Sequence, residues 1–358
     1  MVGTETLSHI VRDNYIVAKI RGEKGKLLER QQLHSLAEFR TQSEILGVLA
    51  DGPYGKELSE LKDGSSPIDT ERAVRLGFAR AVKTLVSSSQ GPARDFLLEF
   101  SRRFDAYDLA AIVVFKAQGK GWEEFVSTRQ PLALLKEAEL HRLYSMDDLR
   151  TIVGIVGDGA LVKRVKSFSM EDLAGERASL VRDIITGWGE ERFYNYVNDK
   201  LRGIDRESCL PIAGGTVDLA NLTIILRSKL IGILNVREHL IPASWKLNDQ
   251  AIDQLLVAQD VSQALDLASS HPYYQRILSG ARQKYEETKS LSFLEVASRK
   301  HSIHISRRIF LGFPYTLGVI LGFLVLKENE ARNLGAIVAG VGAGMKPDQI
   351  RSLVAIAE

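Results

Sequence analysis

Gly340-Val341-Gly342-Ala343-Gly344 is a glycine-rich stretch of the kind that can lay backbone N–H groups around a phosphate. A dinucleotide site needs a strand before such a turn and a βαβ unit around it, and only fourteen residues follow Gly344. Gly22-Glu23-Lys24-Gly25-Lys26 has lysines beside glycines but neither the spacing nor the hydroxyl of a P-loop, and it reads as a solvated helix face. His301 and His304 are three apart and could offer two imidazoles to a metal, yet no Cys, His or acid cluster around them completes a ligand set. Cys209 has no histidine near it in sequence that would favour its thiolate, so it reads as an inert thiol. None of these motifs makes an enzyme. The expectation is a non-catalytic protein with no cofactor, no metal and no small-molecule substrate.

The totals agree. The chain has 358 residues, 45% hydrophobic and 26% charged, with a net charge of +2. That is enough chain for a sizeable core and, by length alone, about two or three domains. The charge is too small for a nucleic-acid stripe, and no like-charge block stands out. A single cysteine rules out an intrachain disulfide and favours a reducing, intracellular setting. The first fifteen residues contain early acids and no apolar h-region, so they do not read as a signal peptide. Residues 309–326 carry no charge, but Pro314 divides them. A helix opened by Pro314 and ending at Leu326 would be roughly 20 Å long, short of a hydrocarbon core of about 30 Å. It reads as buried rather than membrane-spanning.

The elements that organise these residues are legible as a repeat. Residues 105–119, DAYDLAAIVVFKAQG, return as 218–232, DLANLTIILRSKLIG, and as 330–344, EARNLGAIVAGVGAG. Each copy opens on an acid: Asp105, Asp218 and Glu330. Three places on stand Asp108, Asn221 and Asn333; four places on, Leu109, Leu222 and Leu334; seven on, Ile112, Ile225 and Ile337. The eleventh place is Lys116, Lys229 and Val341, and the fourteenth is Gly119, Gly232 and Gly344. The copies are offset by 113 and 112 residues. Places 0, 3, 4, 7, 11 and 14 share one helical face, whereas a strand would need even numbers. The expectation is a capped helix of about 20 Å. Its acid would sit near the start and its lysine near the end, each complementing the helix dipole. The glycine would stop it in the left-handed conformation. These motif residues therefore read as mainly structural.

Other helix signals fill each unit. Pro131 would open a helix over 131–143, and Ser145 with Asp148 would box one over 145–156, an arrangement that Ser169 and Asp172 repeat. Residues 248–268 carry apolar side chains at helical intervals. Breaks are expected at 49–58, 62–69, 87–92 and 209–216, where glycine, proline and serine gather. Alternating runs are scarce. The fold class is all-α, in three pseudo-repeated helical units: 1–126, 127–240 and 241–358.

One family carries the same features. Residues 14–30, NYIVAKIRGEKGKLLER, and 44–58, EILGVLADGPYGKEL, resemble the opening of the C subunit of archaeal-type (A-type) ATP synthases, the counterpart of the d subunit in vacuolar ATPases. The matching residues are Tyr15, Lys19, Arg21, Leu27, Leu28, Tyr54 and Gly55. The threefold segment is similar to that family's, and 314–340 resembles its C-terminal stretch. Two positions depart from the pattern, Asp108 in place of asparagine and Val341 in place of lysine. The resemblance implies three helical units closing into a funnel that links the central-stalk subunits to the membrane proteolipid ring. It implies peripheral association at the cytoplasmic face, with transport of protons or sodium coupled to ATP synthesis or hydrolysis. It implies neither bound nucleotide nor bound ion, and no nucleic acid. A helical-repeat scaffold of another intracellular complex is the alternative.

Overall fold

The computed structural model describes residues 15–61 and 65–356. The reading of the N-terminus falls largely on residues 1–14, outside the described residues, as do 62–64 of the expected break at 62–69. Among the described residues there is no strand, so the fold is all-α.

The order of elements recurs along the chain. Three short helices, Arg30–Leu36, Gln42–Leu49 and Gly55–Leu58, precede a long pair, Pro67–Ser88 and Gly91–Ala117. Glu137–Tyr144, Leu149–Val156 and Gly159–Val165 precede Glu176–Lys200 and Gly203–Leu230. Asp249–Val257, Val261–Ser270 and Ala281–Thr288 precede Ser292–Ile309 and Leu317–Gly342. A short helix follows each long pair: Trp122–Thr128, the 3₁₀ turn Val236–His239, and Pro347–Leu353.

By packing, the chain divides into two units. One comprises 1–98, 202–209 and 299–358; the other comprises 99–201 and 210–298. In the first, Leu317–Gly342 lies along Pro67–Ser88 and is buried on nearly all sides, Lys327, Glu328, Asn329 and Glu330 included. The second has a core that includes Leu109, Ile112, Phe125, Leu180, Ile184, Trp188, Leu222 and Ile225.

Several expected boundaries move. The motif helices are 27, 28 and 26 residues long, roughly 40 Å each, about twice the length of the repeated segment. The acids therefore sit near mid-helix, beyond the reach of a dipole effect confined to the first turn. The third motif helix already begins at Leu317, with the Thr316 hydroxyl accepting from the Val319 N–H, and runs through most of the stretch 314–326. Pro314 precedes it rather than opening it. Length consequently does not argue against a span there; burial of its side chains is what marks it as core. Gly203–Leu230 is the one helix among the described residues long and apolar enough to cross a membrane, and 72% of its apolar window is buried.

Residues 209–216 form no break: they lie inside Gly203–Leu230. Pro211 leaves one helical bond unmade, while Gly214 brings the backbone against the Trp245 ring, where a β-carbon would collide. Pro131 lies in a turn, and the helix begins at Glu137, where the Glu139 carboxylate accepts the Lys136 N–H at 2.7 Å. Asp148 alone caps Leu149–Val156, accepting from the Thr151 N–H at 2.8 Å, whereas Ser145 ends the preceding helix. Ser169 and Asp172 do bond to each other, but they close a turn. Residues 248–268 hold two helices, because Asp260 accepts the Gln263 N–H and starts a new one. The stretch 49–58 contains the short helix Gly55–Leu58, and 87–92 breaks only at Ser89 and Gln90.

Candidate functional site

The polar residues of the repeat are buried, or half-buried at Asp105, Lys116 and Lys229, and most of them bond to backbone. On Gly91–Ala117, Asp105 accepts the N–H groups of Leu134 and Leu135 at 2.6 and 3.0 Å. On Gly203–Leu230, Asp218 accepts those of Trp245, Lys246 and Leu247 at 2.8, 2.7 and 3.0 Å, and the Tyr274 phenol at 2.5 Å. On Leu317–Gly342, Glu330 accepts the Leu28 N–H at 2.5 Å, the Tyr54 phenol at 2.8 Å and the Lys327 ammonium at 2.6 Å. In each copy the acid receives a segment that has no helical partner for its N–H groups. Burial pushes the Asp105 carboxyl up against the lowering pull of its two N–H donors. Burial, then the facing carboxylates, push the Tyr54 and Tyr274 phenols up, so both stay protonated donors.

One turn further, Asn221 donates to the Ile241 and Ala243 carbonyls at 3.1 and 3.2 Å and accepts the Ile241 N–H at 2.8 Å. Asn333 makes the same two-way pair with Ala355, both bonds 2.9 Å. A side-chain amide can do this because it carries a donor and an acceptor, as a peptide does. Asp108 accepts the Gln130 N–H at 2.8 Å and cannot donate, and the Arg129 guanidinium stands 3.7 Å from its other oxygen. That cation suits a carboxylate where the other copies have an amide.

Lys116 donates to the Tyr144 carbonyl at 2.7 Å, and Lys229 to those of Leu256 and Ala258 at 2.9 and 2.5 Å. Burial pulls the Lys229 ammonium down, partly offset by Asp260. Val341 is buried. Leu109, Ile112, Leu222, Ile225, Leu334 and Ile337 are all fully buried. Gly119, Gly232 and Gly344 have φ of +68°, +72° and +66°. The N–H groups of Lys120, Ile233 and Met345 reach back five residues to the Phe115, Ser228 and Gly340 carbonyls at 3.0, 2.9 and 2.9 Å, one stop used three times.

Sequence reasoning did not pick out the ion pairs. Arg103 clamps Glu190 through two bonds of 2.8 Å among the rings of Phe100, Phe104 and Phe193, and Arg164 meets Glu191 at 2.6 Å. Glu190-Glu191 among the aromatic and aliphatic residues of the helix Glu176–Lys200 was the available signal. Tyr54 belonged to the family-like opening, but as part of a turn; its phenol is a ligand of Glu330.

The four chemical candidates are placed as follows. Gly340–Gly344 ends a helix, and residues 22–26 end another. Burial raises the Cys209 thiol far above its ordinary range, away from thiolate chemistry. Burial, and then His304, lower His301 to about 4. Among the described residues no group of three or more His, Cys, Asp or Glu could hold a metal ion.

The arrangement holds segments of the chain to its long helices. The sequence pattern of the ATP synthase (C/AC39) subunit family matches residues 16–353. The chain is 26% identical to the C subunit of the A-type ATP synthase of Methanocaldococcus jannaschii, over 95% of this chain and 85% of that one. It is 24% identical to the corresponding C subunit of Pyrococcus furiosus, over 95% and 90%, and 25% identical to that of Methanothermobacter thermautotrophicus, over 90% and 82%. With a match that runs nearly end to end and polar motifs given over to its own backbone, the chain belongs to the ATP synthase (C/AC39) subunit family.

Proposed function

We propose that this chain is a non-catalytic rotor adaptor of an A/V-type rotary ATPase, seated between the central-stalk subunits and the membrane proteolipid ring. Its three units, 1–126, 127–240 and 241–358, close into a funnel whose socket receives the stalk foot, peripheral to the membrane at its cytoplasmic face. Torque passes through it between ATP turnover in the head and proton or sodium movement in the ring. The observation that carries the reading is the use of every motif acid, Asp105, Asp218 and Glu330, to hold backbone or phenol donors of the chain itself. A part that transmits torque needs such internal bracing and no reactive group. The family relationship supports the same reading over a scaffold for an unrelated complex.

Reconstitution of the complex with and without the chain tests it. Without the chain, or with residues 241–358 deleted, the head should hydrolyse ATP while ion pumping stops. Pumping that stays coupled in its absence rejects the adaptor. Small-angle scattering of the purified chain tests closure separately, since an open helical stack gives a longer particle than a funnel.

A further inference from the structure

The turn between Ile309 and Leu317 is unusual for its exposed apolar surface. Leu311, Phe313 and Tyr315 are 87%, 56% and 49% exposed, a concentration of apolar side chains that solvent alone does not favour. Tyr315 also lines a cavity of about 450 Å³ within the same packing unit, whose walls are mixed, Ile16, Val17 and Ile320 standing with Ser88, Gln90 and Asp205. Tyr15 and Ile204, each next in sequence to a residue of that lining, are half exposed.

Cations stand beside this apolar surface, while on its cavity side the Asp205 carboxylate accepts the Leu317 N–H at 2.7 Å. Arg307 and Arg308 close the helix that leads into the turn, and both are exposed. The Lys24 ammonium lies 4.7 Å over the ring of Phe310, which brings the basic stretch Arg21–Lys26 beside the turn. Glu23 is the acid in that stretch, paired with Lys26 at 2.7 Å. Arg21, Lys24 and Arg308 thus add positive charge next to an apolar tip that includes two aromatic rings. An apolar tip with aromatic rings suits the interfacial layer of a bilayer, and the cations suit anionic headgroups.

We propose that the 310–316 turn and the basic residues beside it form a binding surface for anionic phospholipid, with Leu311 and Phe313 entering the interfacial layer. The surface is a property of the isolated chain and does not depend on the rotor reading. An acidic protein partner would use the same cations but would gain less from an unsupported apolar tip.

Co-sedimentation of the purified full chain with vesicles tests this. Vesicles of phosphatidylcholine with phosphatidylglycerol should pull the chain down, and phosphatidylcholine alone should do so weakly. Arg308→Ala and Arg21→Ala should each weaken partition about fivefold, and added salt should mimic them. The Leu311→Ser/Phe313→Ser double variant should abolish it, while Leu234→Ser, another exposed leucine, should leave it unchanged. Phe313→Trp should show blue-shifted emission on the anionic vesicles, since the native tryptophans, 122, 188 and 245, all lie in the other packing unit. Equal partition onto both vesicle types, or binding indifferent to the turn variants, overturns the proposal. So does concentration-dependent self-association through the turn without vesicle binding, which would make the occupant a second copy of the chain.

Discussion

A carboxylate buried at mid-helix loses hydration worth several kcal/mol unless its oxygens find donors, and Asp218 finds three backbone N–H groups and a phenol. Removing the acid strands those donors in the interior. Asp218→Ala should therefore lower unfolding free energy by about 2–4 kcal/mol in a urea titration, each stranded donor costing about 1–3 kcal/mol before the segment relaxes. A loss below about 1 kcal/mol would place the segment's stability elsewhere. Titration offers a second test. His301 has its folded value lowered to about 4 from an ordinary 6.5, because burial, and then His304, disfavour its charge. The unfolded chain then binds the extra proton first, so stability should fall as pH drops from 6.5 towards 4. His301→Gln should flatten that slope in pH-dependent melting, and an unchanged slope would assign the effect to other groups. The types and spacing of the motif residues were legible in sequence. Their partners were not, because Trp245 and Leu28 lie far from Asp218 and Glu330 along the chain.

At the scale of the helix, glycine means opposite things in two places. Gly232 ends its helix at φ +72°, where a β-carbon costs about 1–2 kcal/mol. Gly214 sits inside the same long helix, close against Trp245. Gly214→Ala should destabilise by about 1–3 kcal/mol through overpacking. Gly47→Ala, in an exposed helix with open space at the β-carbon, should stabilise by up to about 1 kcal/mol. Thermal melts of the pair check the contrast, and a shift of the same sign in both would refute it. Sequence punctuation worked at Gly119, Gly232 and Gly344 and failed at 209–216. A glycine that ends a helix and one that admits a neighbouring ring look alike until the neighbour is known.

At the scale of the molecule, segments from early and late in the chain share a packing unit, and Glu330 ties them through the Leu28 N–H and the Tyr54 phenol. Tyr54→Phe removes one bond to a buried carboxylate and should cost about 1.5–3 kcal/mol. Amide exchange should then quicken in both Arg30–Leu36 and Leu317–Gly342, with Glu137–Tyr144 of the other unit unaffected. Quickening in one segment alone would mean the two fold independently. The helical class, the threefold motif and its glycine stops followed from the sequence alone, since period and left-handed stops are local properties of the backbone. So did the likeness to the subunit family, because the motifs recur in order along the chain. Tertiary structure alone decided that the acids hold backbone rather than the helix dipole, that 209–216 continues a helix, and that the N-terminal segment serves the third motif. The reason is physical: a carboxylate or a glycine has several low-energy uses, and only the groups brought against it select one.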